Sequence, residues 1–207
     1  MSFFSLRHWL YREAESFLFE LRLAYLRRRQ IQIEYGTNLQ LVGLPRLQLV
    51  QNSELRIGDQ CIFRSKPESN PIGLDQPVTF CTLLATAKIL IGDRVGISGG
   101  TLCARQLIEI GSGTLIGANT YIFDHDFHAI DPIARATDDY SSVRSAPVRI
   151  GSNVFIGTRS IILKGVTIGD NSVIGAGSVV TQSIPCNVVA AGNPCTVRCQ
   201  LKANDDN

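Results

Sequence analysis

The sequence predicts an all-β solenoid, a chain that coils into stacked parallel strands, preceded by one helix. Three observations predict this fold. Aliphatic residues stand six apart along the second half of the chain, two proline-bearing segments interrupt that spacing, and residues 1–30 contain neither glycine nor proline. Six-residue spacing fits neither a helix nor a simple alternating strand, whereas glycine-free and proline-free sequence is typical of a helix.

Residues 3–30 are predicted to form an amphipathic helix because apolar residues recur there at helical spacing. These residues are Phe3, Leu6, Leu10, Ala14, Phe17, Leu21 and Ala24. The segment is rich in arginine and begins with aromatic residues, which suits the surface of an anionic membrane. Alternatively, its apolar face packs on the solenoid or on the same helix of a neighbouring subunit. Its charges exclude a transmembrane span, and we place the domain boundary at Gln30.

The coil is expected to begin at residue 31 with an irregular turn that caps the stack. A first loop is predicted at 64–78, where three prolines and many polar residues cannot run along a sheet. A second loop is predicted at 129–147, between the end of the repeat at His128 and its return at Val148. Between the two loops the predicted inward positions are Ile91, Ile97, Cys103, Ile110, Ile116 and Ile122.

The most regular stretch follows the second loop. Its six-spaced aliphatics are Ile150, Ile156, Ile162, Ile168, Ile174 and Val180, and glycine follows four of the six. This period is typical of a triangular prism with one aliphatic per face pointing inward and about 18 residues per turn. Since one turn by itself buries little apolar surface, the stability of the fold must come from the stacking of neighbouring turns.

Composition bounds the function. The net charge of +2 gives no general signal for binding nucleic acid. The six cysteines include no CxxC pair and no signal peptide precedes them, so we expect reduced thiols in a cytoplasmic protein.

Chemistry is expected at residues 123–128, FDHDFH, which lie at the start of the second loop. Neutral imidazole can take a proton from a hydroxyl that attacks a thioester, and a carboxylate on its other nitrogen fixes the tautomer. Asp124, Asp126 and Asp131 are within local reach of His125 and His128. By itself such a run is as often a surface turn or a metal site.

The repeats, the histidine-bearing loop and the run IGDNSVIGAGSVVTQSIPCNVVAAGNPCTVR resemble the hexapeptide-repeat acyltransferases. Within that superfamily the galactoside, maltose and polysaccharide O-acetyltransferases are most similar. The resemblance covers 91–198 well, 31–90 weakly and the helix not at all. It implies a left-handed parallel β-helix in residues 31–198, a polar tail at 199–207, and homotrimers with acetyl-CoA sites between subunits.

The resemblance also implies site residues. Polysaccharide-type relatives commonly read D-x-D-[FW]-H where this chain has Asp124-His125-Asp126-Phe127-His128, which favours His128 as the general base with His125 as the alternative. The implied acetyl-CoA contacts are Gly157, Thr158, Ala176, Thr181, Gln182 and Arg198. Gln182 replaces a lysine common in relatives, so Lys164 or Arg198 is expected to compensate near the phosphates. In any hexapeptide solenoid Gly157 and Ala176 also have a purely structural explanation.

The function that follows is acetyl transfer from acetyl-CoA to a hydroxyl of a saccharide, such as a polysaccharide, a lipopolysaccharide or a lipid-linked glycan precursor. The sugar-binding asparagine of galactoside enzymes has no counterpart in Ser98-Gly99-Gly100-Thr101, which indicates a different acceptor. No resident metal is expected. A γ-type carbonic anhydrase on the same solenoid and a non-catalytic scaffold remain alternatives, although His8 lies far from the other two histidines in the chain.

Overall fold

The computed structural model describes residues 3–201, with side chains from Ala14 onward. A helix, α1 (Phe3–Arg28), is followed by twenty strands that form three sheets. Every third strand joins the same sheet, so the chain coils as a triangular prism. The fold is a left-handed parallel β-helix, as predicted.

The three sheets are named A, B and C. Sheet A contains β1 (Gln32–Tyr35), β4 (Glu54–Ile57), β7 (Lys88–Ile91), β10 (Leu107–Ile110), β13 (Val148–Ile150) and β16 (Thr167–Ile168). Sheet B contains β2 (Gln40–Val42), β5 (Ile62–Arg64), β8 (Gly96–Ser98), β11 (Leu115–Ile116), β14 (Phe155–Ile156), β17 (Val173–Ile174), β19 (Val188–Gly192) and β20 (Cys195–Gln200). Sheet C contains β3 (Arg46–Gln48), β6 (Thr79–Thr82), β9 (Thr101–Ala104), β12 (Tyr121–Phe123), β15 (Ile161–Ile162) and β18 (Val179–Val180).

Each turn of the prism contributes one strand to each sheet. Turn three is β7 to β9, turn four β10 to β12, turn five β13 to β15 and turn six β16 to β18. Connections between sheets form three corners, named A–B, B–C and C–A. Corners of successive turns stack, so residues far apart in sequence meet along one edge.

The predicted six-residue run forms the core of the last turns. All six aliphatics from Ile150 to Val180 are buried, at most 2% exposed. Ile150 is in register with Ile168, and Ile162 with Val180, so equivalent side chains stack in files along the axis. Full burial of one such side chain stabilises the fold by about 1.5–3 kcal/mol, and the repeat is needed to make the stack continuous.

One inward position was predicted wrongly. Leu102, fully buried and in register with Ile122, occupies the place expected for Cys103. The step before it is one residue shorter because Gly99 and Gly100 make the bend with positive φ, a conformation that other residues adopt rarely. Cys103 falls on the alternate side of the strand, next to its register partner Cys81. A hydrogen bond with the Cys81 thiol, together with burial, raises the pKa of Cys103.

Helix α1 lies over the first turn, but not by the predicted face. Phe19, Leu23 and Leu26 are buried and belong to the same core cluster as Ile31 and Ile33. The predicted face is exposed in its described part, which consists of Ala14, Phe17, Leu21 and Ala24. Both sets have helical spacing, so periodicity alone does not choose between them. Phe3, Leu6 and Leu10 have side chains outside the described part.

Polar contacts fix the helix further. The Arg22 guanidinium donates to the Leu47 carbonyl at 3.1 Å, and that of Arg27 to the Ile33 carbonyl. Glu15 forms an ion pair with Lys66 at 2.5 Å. One face of α1 therefore packs on the solenoid, which was the predicted alternative to contact with a membrane. None of the helices within residues 3–201 is long and apolar enough to cross a bilayer.

The first predicted loop leaves the coil at the B–C corner, between β5 and β6. It contains a short 3-10 helix, Pro67–Ser69. Its far end is held against later turns, because the Asp75 amide donates to Asn119 Oδ1 at 2.9 Å and its carboxylate pairs with Arg159 at 2.8 Å. The loop thus folds along the prism edge.

The second loop leaves at the C–A corner and fills residues 124–147, between β12 and β13. It contains the helix α2 (Pro132–Ala136) and a 3-10 helix, Tyr140–Ser142, neither of which the sequence predicted. Asp131 caps α2, accepting from the amides of Ile133 and Ala134. Its Oδ1 is therefore occupied by the helix cap, and within the described residues Asp131 has no hydrogen bond with a histidine.

The coil ends in an antiparallel hairpin of β19 and β20. The turn predicted at Gly192-Asn193-Pro194 lies between these strands. β20 runs to Gln200, two residues past the boundary expected at Arg198, because its backbone pairs with β19 to the end. Residues 202–207 of the predicted tail lie outside the described part.

Candidate active site

A cavity of about 590 Å³ opens at the C–A corner, beside the start of the second loop. It is lined by Leu83, Leu84, Arg105, His125, Phe127, His128, Tyr140 and Ser141. These residues come from the C–A connections of turns two and three and from the second loop. A larger depression of about 1010 Å³ runs along sheet A, but neither histidine lines it.

Asp124 anchors the site. Its carboxylate is fully buried and accepts from three consecutive backbone amides, those of Arg105 (2.6 Å), Gln106 (2.7 Å) and Leu107 (2.7 Å). A buried carboxylate needs such donors to offset its lost hydration. Asp124 therefore ties the root of the loop to the turn below and is already saturated with hydrogen bonds.

His125 is held by the same carboxylate. Its Nδ1 lies 3.2 Å from Asp124 Oδ1, and the residue is 1% exposed. Its Nε2 is buried without a hydrogen-bond partner in the structure. A buried polar atom without a partner is costly, and at a cavity wall it indicates a place for a ligand atom or water. The Asp124 contact favours the tautomer with the proton on Nδ1 and Nε2 free to accept.

Phe127 and His128 form the rim. Phe127 has φ of +59°, uncommon for an aromatic residue, and its ring centre is 4.2 Å from that of His125. The same bend lets the His128 amide donate to the Asp126 carbonyl at 2.6 Å. His128 is exposed, whereas His125 is buried. The two candidate histidines thus line one cavity in different environments.

Asp126 forms an ion pair with Lys164 of turn five, and both side chains are mostly buried. Its amide donates to the Arg144 carbonyl at 3.1 Å, across the neck of the loop. The Lys164 ammonium, which the sequence offered with Arg198 as compensation for Gln182, is bound to Asp126. The pair fixes the loop to the turn above.

The residues expected to contact acetyl-CoA lie at separate places. Thr158 and Ala176 are at the B–C corner, with the Thr158 hydroxyl donating to the Ala118 carbonyl at 2.7 Å. Gly157 beside them packs so closely on turn six that a Cβ would lie 2.4 Å from the Ala176 amide, which supports its structural explanation.

The remaining expected contacts are exposed. Thr181 and Gln182 follow β18 at the C–A corner, above the histidine cavity. Arg198 is on β20, where its Nε donates to the Ala191 carbonyl at 3.1 Å. One chain therefore does not bring all six residues into one cavity.

Sequence reasoning missed several lining residues, namely Leu83, Leu84, Arg105, Tyr140 and Ser141. Arg105 could be found from the strand register. Phe123 is in register with Cys103, and the same interval counted back from His125 reaches Arg105. Tyr140 and Ser141 had none, because the loop has no repeat.

Within the described residues no three His, Cys, Asp or Glu side chains are grouped so that they could hold a metal ion. The side chain of His8 lies outside that part of the chain.

Residues 147–182 match a protein-family model described as the hexapeptide repeat of succinyl-transferase. The chain is 44% identical over 105 residues to the galactoside O-acetyltransferase of Escherichia coli (strain K12), covering 51% of this chain and 50% of the relative. It is 42% identical over 98 residues to the galactoside O-acetyltransferase of Lactococcus lactis subsp. lactis (strain IL1403), covering 47% and 45%. The chain thus spans about half the length of the curated relatives it matches.

Among solved structures, a hexapeptide-repeat-containing acetyltransferase from Vibrio cholerae O1 biovar eltor, complexed with acetyl coenzyme A, has a TM-score of 0.54. It is 24% identical, and the match covers 89% of this chain and 79% of that one. This likeness supports the fold.

Proposed function

We propose that this chain is an acetyl-CoA-dependent O-acetyltransferase acting on a saccharide hydroxyl. Its repeats are those of the hexapeptide-repeat acyltransferase superfamily, as predicted. The observation that carries the proposal is the cavity at the C–A corner, lined by two histidines of which one is held by a buried carboxylate. The named relatives above, galactoside O-acetyltransferases, support the reaction class.

The proposed reaction is direct transfer. The acceptor oxygen attacks the thioester carbonyl while an imidazole takes the hydroxyl proton. The tetrahedral intermediate then expels the CoA thiolate, which receives that proton, leaving an acetyl ester and free CoA. A backbone amide would stabilise the developing oxyanion. No covalent acyl-enzyme is required.

We assign the base to His128, because it is exposed at the cavity and matches the D-x-D-[FW]-H pattern. His125 with Asp124 is the alternative, since its Nδ1 contact leaves Nε2 as an acceptor, an arrangement suited to a base. Asp126 positions the loop through Lys164, and Asp124 positions His125.

Acetyl-CoA is proposed to contact Gly157, Thr158 and Ala176 at one corner and Thr181 and Gln182 at another. Because these corners belong to different edges of the prism, we propose a homotrimer in which neighbouring chains contribute one edge each to a shared groove. Arg198 is the remaining cation proposed for the CoA phosphates.

We further propose a cytoplasmic protein whose acceptor is a polysaccharide or a lipid-linked precursor at the inner face of the membrane. Phe17, Leu18, Leu21 and Tyr25 support contact with lipid, because they stay exposed on the described part of α1. Co-sedimentation with anionic vesicles measures this contact. Binding that is unchanged after deletion of residues 3–30 would rule out a role for the helix.

Substitution of each histidine tests the proposal. We expect His128→Ala to lower kcat by about 10²–10⁴-fold, the usual contribution of a general base, and His125→Ala to lower it less. Release of CoA thiol in the presence of an acceptor is the measurement. A larger loss for His125→Ala would move the base to His125, and wild-type rates for both variants would refute the catalytic proposal.

A further inference from the structure

We infer that the acceptor is an acidic saccharide, whose carboxylate or phosphate binds Arg105 while its ring lies against Phe127 and Tyr140. This inference rests on the proposed function and names the substrate class of the same cavity. It depends on the fixed position of Arg105, on the absence of a carboxylate partner for its guanidinium among the described residues, and on the side chains that form the cavity walls.

Arg105 is fixed with respect to His125. Its amide donates to Asp124 Oδ1 at 2.6 Å, and the same oxygen lies 3.2 Å from His125 Nδ1. One buried carboxylate therefore sets both the backbone from which the guanidinium extends and the plane of the imidazole. A side chain that holds a substrate beside the catalytic histidines needs such a fixed position.

The Arg105 charge is not neutralised within the described residues. Among these residues its guanidinium makes one hydrogen bond, from Nη2 to the Tyr140 carbonyl at 2.8 Å, and none of their carboxylates lies within ion-pair distance. Arg149 and Arg159, by contrast, are each paired with a carboxylate. A planar guanidinium with free N–H groups at a cavity wall is suited to bidentate binding of carboxylate or phosphate.

Three acidic side chains of the second loop make contacts with groups other than the Arg105 guanidinium. Asp124 is occupied by backbone amides, and Asp126 by Lys164. Asp139 accepts from the hydroxyls of Ser141 and Ser142, at 2.5 Å each, and those bonds lower its pKa. None of these three carboxylates is therefore paired with the Arg105 guanidinium, whose free N–H groups remain available to an anionic ligand.

A second observation points to a polar ligand group. His125 Nε2 is buried, lacks a hydrogen-bond partner in the described part of the chain, and belongs to a residue that lines the cavity. The walls around it are apolar and solvent-facing: Leu83, Leu84, Phe127 and Tyr140 are 39–58% exposed. Aromatic and aliphatic faces next to a few fixed polar groups suit a sugar, which has apolar C–H faces and polar edges.

The location favours the acceptor over CoA as the ligand of Arg105. Arg105 belongs to the connection after turn three, one turn before His125. Of the proposed CoA contacts, Thr181 and Gln182 lie on the same C–A edge, and both follow the loop. Donor and acceptor would then approach the histidines from opposite ends of the C–A edge.

Ligand-observed NMR tests the inference on the full chain. The probes are methyl glucuronide, glucose 6-phosphate and, as the matched neutral sugar, methyl glucoside. We expect the wild type to bind at least one acidic sugar about tenfold or more tightly than the neutral one, and Arg105→Gln to abolish that preference. Arg105→Lys should keep part of it, and Arg144→Gln, a loop arginine that does not line the cavity, should keep all of it.

Three results would overturn the inference: equal binding of acidic and neutral sugars, acidic binding that survives Arg105→Gln, or no binding of any probe. Thermal unfolding of each variant excludes misfolding as the cause. Acetyl transfer measured in parallel separates the two proposals. Arg105-dependent binding with no transfer would refute the proposed function alone, whereas efficient transfer to neutral sugars without acidic preference would refute the acidic acceptor alone.

Discussion

The C–A connections of turns four and five are successive corners of the coil with very different lengths. In turn five the chain passes from sheet C to sheet A in four residues, 163–166, and in turn four it takes 24, residues 124–147. Yet both leave and rejoin the prism at the same place, since the Ala146 amide donates to the Asp124 carbonyl and the Gly165 amide to the Ala146 carbonyl.

The difference separates two tasks. The short connection satisfies its own backbone and continues the stack, whereas the long one carries both histidines and a buried nitrogen without a partner. Rigid turns above and below hold its ends. The β-helix therefore holds the loop in a fixed position, and the loop that interrupts the repeat carries the candidate catalytic side chains.

The sharpest test replaces residues 124–147 with the tetrapeptide of turn five, Leu-Lys-Gly-Val. We expect a folded β-helix with acetyl transfer lost entirely, because the cavity and both histidines are removed while the files of inward aliphatics remain. Circular dichroism and thermal unfolding measure the first outcome, and CoA release measures the second. An unfolded product would show that the loop is needed for the coil itself.

A smaller effect is expected from Asp124→Asn. The amide NH₂ would face backbone donors, leaving buried N–H groups without acceptors, so we expect a loss of about 3 kcal/mol in the free energy of unfolding. Urea denaturation is the measurement. Asp170→Asn is the control, since Asp170 accepts from the Ser152 amide but is exposed, and it should cost less than about 1 kcal/mol. Equal losses would contradict the anchoring role.

The smallest effect is expected from Lys164→Met, which removes the ion pair between turn five and Asp126. Stability should fall by about 1–2 kcal/mol, between the values for exposed and fully buried ion pairs, because a mostly buried carboxylate loses its partner. We expect kcat to fall about fivefold because the loop root that presents His128 loosens. Lys88→Met, which removes a pair with Glu54 on sheet A, should leave kcat unchanged. A similar decrease in both variants would show that Lys164 has no specific role in the site.

Much of the fold could be predicted because inward aliphatic residues recur at one six-residue step over the last turns. Ile150 to Val180 occupy successive strands, and a single spacing specifies all of them. The prediction failed where local geometry changes the count, as at Gly99 and Gly100, which shorten the step before Leu102. It failed for α1 because two apolar faces have the same period and only contact with the first turn distinguishes them.

The candidate site was partly predictable. The cluster at residues 123–128 was identified because the repeat stops there, and the cavity does contain His125 and His128. The roles of the nearby carboxylates could not be read from their spacing. The three carboxylates have different partners. Asp124 accepts from backbone amides, Asp126 pairs with a lysine of the next turn, and Asp131 accepts from amides at the start of α2. Partners from other turns become visible only once the register is known.

The two ends of the prism have a consequence for solubility. A stack of parallel strands has no intrinsic length, and an open end is a template on which further chains can add. Here Phe19, Leu23 and Leu26 cover the apolar interior at the first turn, and antiparallel β20 closes sheet B at the last. These caps oppose the end-to-end addition of further chains, to which an uncapped stack of parallel strands would be open.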